Sequence, residues 1–380
     1  MKKNITSFTV LLFFILSATY LSAQKNVQYI VIKSNTTKGC KNYIASIPWE
    51  KVVKKYPAID TNNFKIISAV TKKEIVYQLE YLGNNVPQNL LLQVDLLPAT
   101  AEKFFIVAKA HSNFESKTYC RYVPERKDDF AWENDKIGFR IYGKALEGTK
   151  ENANGIDVWV KRTTKMVIND RYKSGDYHND HGDGVDYYHV GLTLGAGNLV
   201  PFINDSFYFP KNYRTWKILD NGPLRTTFVL QYEDWNVNGA MVGMTKTISI
   251  DAGSQLSKIA INLSSKTIDS LPVVTGITMR EGKGDHQFNQ AKRIMAYWEP
   301  TDPKFGTTGV GCIFLQPIQT MKIAKEHLLT QFKIKTNKSF TYLSGAAWDR
   351  AKEITNAQAW YNYLEQYKQQ LDIKVTAVVN

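Results

Sequence analysis

Cysteine is scarce in this chain. Cys40, Cys120 and Cys312 are three among 380 residues, too few and too scattered for a disulfide scaffold or a zinc ribbon. An oxidising compartment permits one bridge, and Cys40 with Cys120 would close the N-terminal segment. Cys312, within the apolar run GVGCIFL, reads as plain core. Past the N-terminus no apolar run approaches the ~18 residues of a membrane-spanning helix, so no membrane partner is expected. A Lys/Arg-dense arm is also missing. The basic residues are spread evenly, which argues against nucleic acid. Nucleophile elbow, P-loop, dinucleotide fingerprint, Ser-His-Asp signature and H-E-x-x-H are all absent. An EF-hand started at Asp176 fails as well: His181 stands where glycine is required, and no glutamate closes the loop.

What is present begins with an export signal. Lys2 and Lys3 precede the apolar run Phe8–Leu16 and small residues up to Ala23, the layout of a cleaved secretory leader. Residues 1–23 are therefore read as a signal peptide, without the cysteine that a lipid-anchored protein would place at the boundary. The protein is expected in the periplasm or outside the cell. Cleavage removes two lysines and no acids, so the formal charge of +13 falls to +11. A basic exported protein suits an anionic substrate.

Two strand-rich regions follow. Residues 24–120 hold short β-branched or alternating runs, Gln28–Lys33, Phe64–Val70, Glu74–Tyr81, Asn89–Leu96 and Lys103–Ala108, separated by turn residues. They predict a small N-terminal β-sandwich. Residues 121–380 carry longer runs that alternate apolar and polar, among them Ala131–Gly143, Asp157–Thr163, Tyr187–Leu194, Leu224–Asn236, Gln255–Leu263 and Phe332–Leu343. Successive strands with almost no helical period predict an all-β fold: a large antiparallel β-sandwich, with the small one before it. One helix closes the chain, capped by Thr355 or Asn356, with Ala359, Trp360, Tyr363, Leu364 and Tyr367 at helical spacing. Ile373–Val379 reads as a final strand or an ordered tail.

The chemistry concentrates in DYHNDHGDGVDYYHVGLTLGAG, Asp176–Gly197, with three of the six histidines. So much proton-transfer chemistry among so many glycines predicts a loop leading into a strand near Tyr187–Thr193, and polar loops on rigid scaffolds are where sites are built. His178, His181, His189 and Tyr187 are the candidate catalytic groups, joined by Glu281 from the second polar cluster, REGKGDH. Tyr188 and Asp183 join the candidate binding residues. On the strand from Ala131, a face presenting Trp132, Asn134, Arg140 and Tyr142 suits a sugar cleft: rings stack on apolar sugar faces and Arg forks onto carboxylates. Arg280, at a strand end, is the second candidate fork. His178 and His181 could also share a divalent metal, zinc or calcium, with a third ligand elsewhere such as His111 or His286.

Four stretches carry a resemblance: DDFAWENDKIGFRIYG (Asp128–Gly143), GIDVWVKR (Gly155–Arg162), YHNDHGDGVDYYHVGLTLGAG (Tyr177–Gly197) and DNGPLRTTFVLQYEDW (Asp220–Trp235). Over the whole mature chain these resemble the secreted bacterial family known as domain of unknown function 4861, which includes an ulvan oligosaccharide dehydratase. The resemblance implies a β-sandwich similar to galactose mutarotases and some polysaccharide lyases. It also implies work on acidic, uronic-acid-containing oligosaccharides by β-elimination, ending in dehydration of a terminal uronate. Such chemistry needs a base for the C5 proton, an acid for the departing oxygen, and a cation against the carboxylate. Two other readings stay open. A glycoside hydrolase would pair Asp180 or Asp183 with Glu281, and a carbohydrate-binding or mutarotase-like protein would leave the glycan's mass unchanged.

Overall fold

The computed structural model describes residues 28–98 and 100–380; the export signal read over residues 1–23 lies outside them. Alternation dictates the architecture: in run after run every second side chain is apolar, and pairing such strands buries one face of each sheet. The expected all-β fold is what forms, with three α-helices among the described residues. None of them is long and apolar enough to cross a membrane.

The N-terminal runs make two small antiparallel sheets. One has the order Val375–Val379, Tyr29–Ser34, Ala101–Val107, Lys65–Ser68, and the other Cys40–Pro48, Asn89–Leu96, Tyr77–Glu80. Ile30, Ile32, Ile47, Phe64, Leu90 and Leu92 fill the space between them. The tail Ile373–Val379 thus supplies the strand Val375–Val379, which pairs with the first strand rather than with its sequence neighbours. Cys40 lies in this core and Cys120 in the core of the larger body, and all three cysteines are free thiols. The bridge between Cys40 and Cys120 does not form.

Three sheets share the large core. An eight-stranded sheet runs Thr215–Asn221, Arg225–Val237, Ala240–Asp251, Leu256–Ser264, Ser339–Trp348, Thr308–Phe314, Ile294–Trp298, Asp285–Asn289. Against it pack a five-stranded sheet centred on Ala196–Ile203, Ser270–Thr278 and His327–Lys335, and a second five-stranded sheet: Thr118–Val123, Asp129–Asn134, Ile137–Ile141, Asp157–Lys161 and Gly184–Val185. This last sheet positions the candidate site.

Two expected strands change form. Ala131–Gly143 is a hairpin, because the Asn134 carboxamide accepts from the backbone N–H of Lys136 and Ile137 at 2.9 and 3.0 Å and turns the chain. Phe332–Leu343 is likewise broken at Asn337, which adopts a φ of 58°.

The outer face of the eight-stranded sheet carries the closing helix, Ala357–Leu371, whose Asn356 cap accepts from the Ala359 N–H at 2.9 Å. Trp360 and Leu364 pack over Gly309 and Gly311, where a Cβ would fall within 3.0 Å of Trp360 and 2.5 Å of Leu364. Trp360 is fully buried and its indole N–H reaches the Val310 carbonyl at 3.1 Å. Trp360→Ala should therefore cost about 3–5 kcal/mol in urea unfolding; a loss below about 1 kcal/mol would mean the helix rests only lightly on the sheet.

Candidate functional site

The Asp129–Lys161 part of the small sheet is polar on one face. Across the hairpin, Ala131 pairs with Arg140 and Trp132 with Phe139, and Arg140 in turn pairs with Asp157. Side chains alternate. Phe130, Trp132, Phe139, Ile141, Val158 and Val160 therefore enter the core, while Asp129, Glu133, Arg140, Asp157, Trp159 and Lys161 share the opposite face. Trp132 thus does not join Arg140 in a cleft. It is fully buried, packed on Phe139 and Phe228, with its indole N–H on Ser257 Oγ at 2.9 Å.

A helix and a loop cover this polar face. Glu133 Oε1 accepts the N–H groups of Val167 and Ile168, both at 2.7 Å, at the start of the helix Ile168–Ser174. The buried Lys161 ammonium donates to Glu133 Oε2 at 2.5 Å and to the carbonyls of Asn134 and Lys165, each at 2.7 Å. The loop that follows is pinned twice. Gly184 pairs with Lys161 so tightly that a Cβ would lie 2.0 Å from the Val160 carbonyl oxygen, and Gly195, at φ 55°, bridges to Ile156.

Between these pins the expected strand Tyr187–Leu194 is an irregular loop. Side chains, not a neighbouring strand, take up its backbone groups. Arg280 Nη1 donates to the His189 carbonyl at 2.6 Å, the Leu194 N–H donates to His327 Nε2 at 3.2 Å, and Thr193 Oγ donates to the Val190 carbonyl at 2.7 Å. Gly191, at φ 60°, turns the chain.

At the centre lies Arg140, 3% exposed. Its Nη2 bonds Asp157 and, at 2.9 Å, Asp186 from the loop, while Nε stands 3.8 Å from Asp129. The guanidinium lies against the rings of Tyr142, Trp159 and Tyr177. Burial opposes its charge, but Asp157 and Asp186 hold its pKa well above the usual value. Burial likewise pushes Asp157 up to about 7 and Asp129 up to about 6, against the pull of Arg140. Three carboxylates converge here on Arg140 and on Arg126, which is 3.5 Å from Asp129. Arg140 is thus committed to the protein's own acids, not available as a fork for substrate. Tyr142 is equally enclosed, its phenol kept protonated by burial.

Arg280 is different. Its Nε bonds Glu299 at 2.6 Å, Nη1 takes the His189 carbonyl, and the guanidinium lies 4.4 Å from the Tyr188 ring centre. Nη2 has no partner among the described residues, and a quarter of the side chain is exposed. Tyr188 itself is buried with an unpartnered hydroxyl, kept protonated by burial. Tyr187 is half-buried, stacked on Phe305, its hydroxyl 2.6 Å from Thr308 Oγ; burial raises its pKa also.

The histidines separate. His178 has Nδ1 2.8 Å from the Asp186 carbonyl oxygen, so Nδ1–H donates there and Nε2 keeps its lone pair facing outward. The same Nδ1 is 3.9 Å from the Asp186 carboxylate, which joins His178 to the Arg140 cluster. His181 instead turns to Asp176, 2.9 Å away, on the exposed rim. Each ring thus has its own partner, and among the described residues no group of three His, Cys, Asp or Glu side chains is placed to hold a metal ion. His111 stacks on Phe114 and His286 meets Phe288, so neither completes such a site. His189 is exposed and contributes its carbonyl to Arg280. Glu281 sits on a turn, 79% exposed and paired with Lys283, which lowers its pKa; it is not in the site. Asp183 is 3.3 Å from Arg171 on the rim, and Asp180 pairs with Arg162.

The family described as Domain of unknown function (DUF4861) matches residues 33–377. The chain belongs to that family. Over 390 aligned positions it is 30% identical to Uncharacterized protein P7 of Formosa agariphila, covering 96% of this chain and 97% of that protein. Among solved structures it is similar to a glycosyl hydrolase family 38 protein from Enterococcus faecalis and to an alpha-mannosidase from Enterococcus faecalis V583. Each has a TM-score of 0.50 and 11% identity over 93% of this chain. The chain spans about half of those structures, 47% and 46%, and the likeness extends to the fold alone. For this DUF4861 chain a cavity of about 690 Å³ is lined by the N-terminal unit, the eight-stranded sheet and the closing helix, away from the loop.

A pH dependence follows from Asp157. Its folded pKa, about 7, lies above its ordinary 3.8, so its contribution to stability is complete below about pH 4 and is lost as pH rises toward 7. Asp157→Asn, which keeps the neutral shape, should match the wild-type melting temperature near pH 4 and exceed it at pH 8. A variant less stable than wild type at pH 8 would show that the ionised pair with Arg140 is net stabilising.

Proposed function

We propose that this protein dehydrates a terminal uronate of acidic oligosaccharides by β-elimination. The observation that carries the reading is Arg280: a guanidinium held on two sides by Glu299 and the His189 carbonyl, with Nη2 left over beside the Tyr187–His189 segment. A carboxylate on Nη2 would lose part of its charge to the cation, which acidifies the neighbouring C5 proton. His178, its Nδ1 fixed on a backbone carbonyl, presents Nε2 as the base. The C5–H electron pair becomes the C4–C5 double bond, and the C4 hydroxyl leaves as water after taking a proton from Tyr187, whose phenol burial keeps protonated. An exported basic protein of a carbohydrate-related fold is consistent with such a substrate.

Hydrolysis by paired carboxylates fits less well. Asp180, Asp183 and Glu281 are each held by a different cation, and Glu281 stands on an exposed turn. The buried trio of Asp129, Asp157 and Asp186 is closed off by Arg140.

Incubation with oligosaccharides ending in a saturated uronate should yield a product lighter by one water and absorbing in the ultraviolet. Fragments heavier by one water would indicate hydrolysis, and unchanged masses across acidic glycans would contradict the reading. Arg280→Gln and His178→Ala should each lower kcat/KM by at least about 10²-fold, His178→Ala with little change in melting temperature and Arg280→Gln with a lowered one, because buried Glu299 then loses its partner. His181→Ala, altering only the rim, should retain most activity. Equal loss in the His178 and His181 variants would mean the loop acts as scaffolding.

A further inference from the structure

The 690 Å³ cleft is built differently from the loop site. Its floor is the outer face of the eight-stranded sheet, its walls the strands around Lys41–Ser46 and the last turns of the closing helix. Register places Thr227, Ser249 and Lys258 side by side on three adjacent strands, a row about 10 Å across. Thr227 is 4% exposed, yet its hydroxyl has no hydrogen-bond partner although the residue lines the cleft. A buried hydroxyl without a partner is costly; Thr227 Oγ is closed to water here, so a ligand in the cleft meets it once the side chain turns about χ1.

The charges are also unequal. Arg225, in the same cleft, is taken up by Asp251 and Glu80. Lys41 and Lys258 line the cleft too, and neither forms an ion pair among the described residues. Tyr363 and Tyr367 line the cleft from the helix, their hydroxyls already tied to Gln255 N and Ser254 Oγ. Hydroxyls in a row, two free ammonium groups and aromatic walls suit a ligand that is polyhydroxylated and anionic together.

We propose that this cleft is a second saccharide site, binding a short anionic oligosaccharide through Lys41, Lys258 and the Thr227–Ser249 hydroxyls. It holds glycan on the face where the two units meet, apart from the loop of Asp176–Gly197. Uronate and sulfate ester share the chemistry that the ammonium groups recognise. The proposal does not rest on the dehydration reading, since it concerns binding at other residues.

Isothermal titration of the full chain tests it with three probes: trigalacturonate, a sulfated carrageenan tetrasaccharide and neutral maltotriose. At least one anionic probe should bind saturably, more weakly at high salt, and maltotriose at least tenfold less well. Whichever anionic probe binds identifies the group recognised. Lys258→Gln and Lys41→Gln should each weaken that binding about tenfold at unchanged melting temperature. Thr227→Val, which keeps shape and removes the hydroxyl, should weaken it severalfold. Arg280→Gln should leave it intact, so loss of turnover in that variant with retained binding separates the two sites. Absence of binding by both anionic probes, or binding untouched by both lysine variants, would overturn the proposal. So would binding abolished by Arg280→Gln.

Discussion

The buried contact of Arg140 with Asp157 and Asp186 is the constraint on which the site depends. Asp157 comes from the strand beside Arg140 and Asp186 from the loop above, so one guanidinium ties the loop to the sheet. Taking these charges out of water is unfavourable on its own, and the cluster is tolerated because aromatic faces and opposed charges surround it. Its consequence is positional. With Asp186 held, His178 can donate to the Asp186 carbonyl, and Tyr187 and Tyr188 follow in fixed directions toward Thr308 and Arg280.

A second consequence concerns which arginine is free. A guanidinium offers five donors; those of Arg140 face the protein's own acids and rings in a closed pocket. Arg280 is held by one carboxylate and one carbonyl at the loop's edge, with a donor remaining. On the proposed reading, structural and substrate-facing roles are divided between two arginines of the same chemistry by burial and by the number of acids around them.

Much of this was legible in the sequence. Alternating runs such as LRTTFVLQYE gave strands, and the 3.6-residue spacing of Trp360, Tyr363, Leu364 and Tyr367 gave the closing helix with its Asn356 cap. The loop's location was legible from its glycines and histidines. What escaped was pairing. A turn made by a single asparagine, Asn134, reverses which residues share a face with Arg140, and so removed Trp132 from the site. Asp157 and Glu299 sit in apolar runs, where one acid looks like the polar half of an alternation; their partners become visible only once register is known. The loop after Asp186 read as a strand because Tyr, Val and Thr favour strands, but side chains from distant segments satisfied its backbone instead.

The cleft between the units shows the same limit. Lys41, Thr227, Ser249 and Lys258 are far apart in sequence, unremarkable where they stand, and meet only through sheet register and the docking of the N-terminal strands. Their juxtaposition gives the molecule two polar surfaces of distinct construction on one all-β body.

The most direct test of the account is a crystal structure of the His178→Ala protein soaked with an oligosaccharide ending in a saturated uronate. The account predicts the terminal carboxylate within hydrogen-bonding distance of Arg280 Nη2, with C5 turned toward the space vacated by the imidazole. A uronate bound with its carboxylate away from Arg280, or none bound at the loop while the cleft by Lys258 is filled, would contradict it.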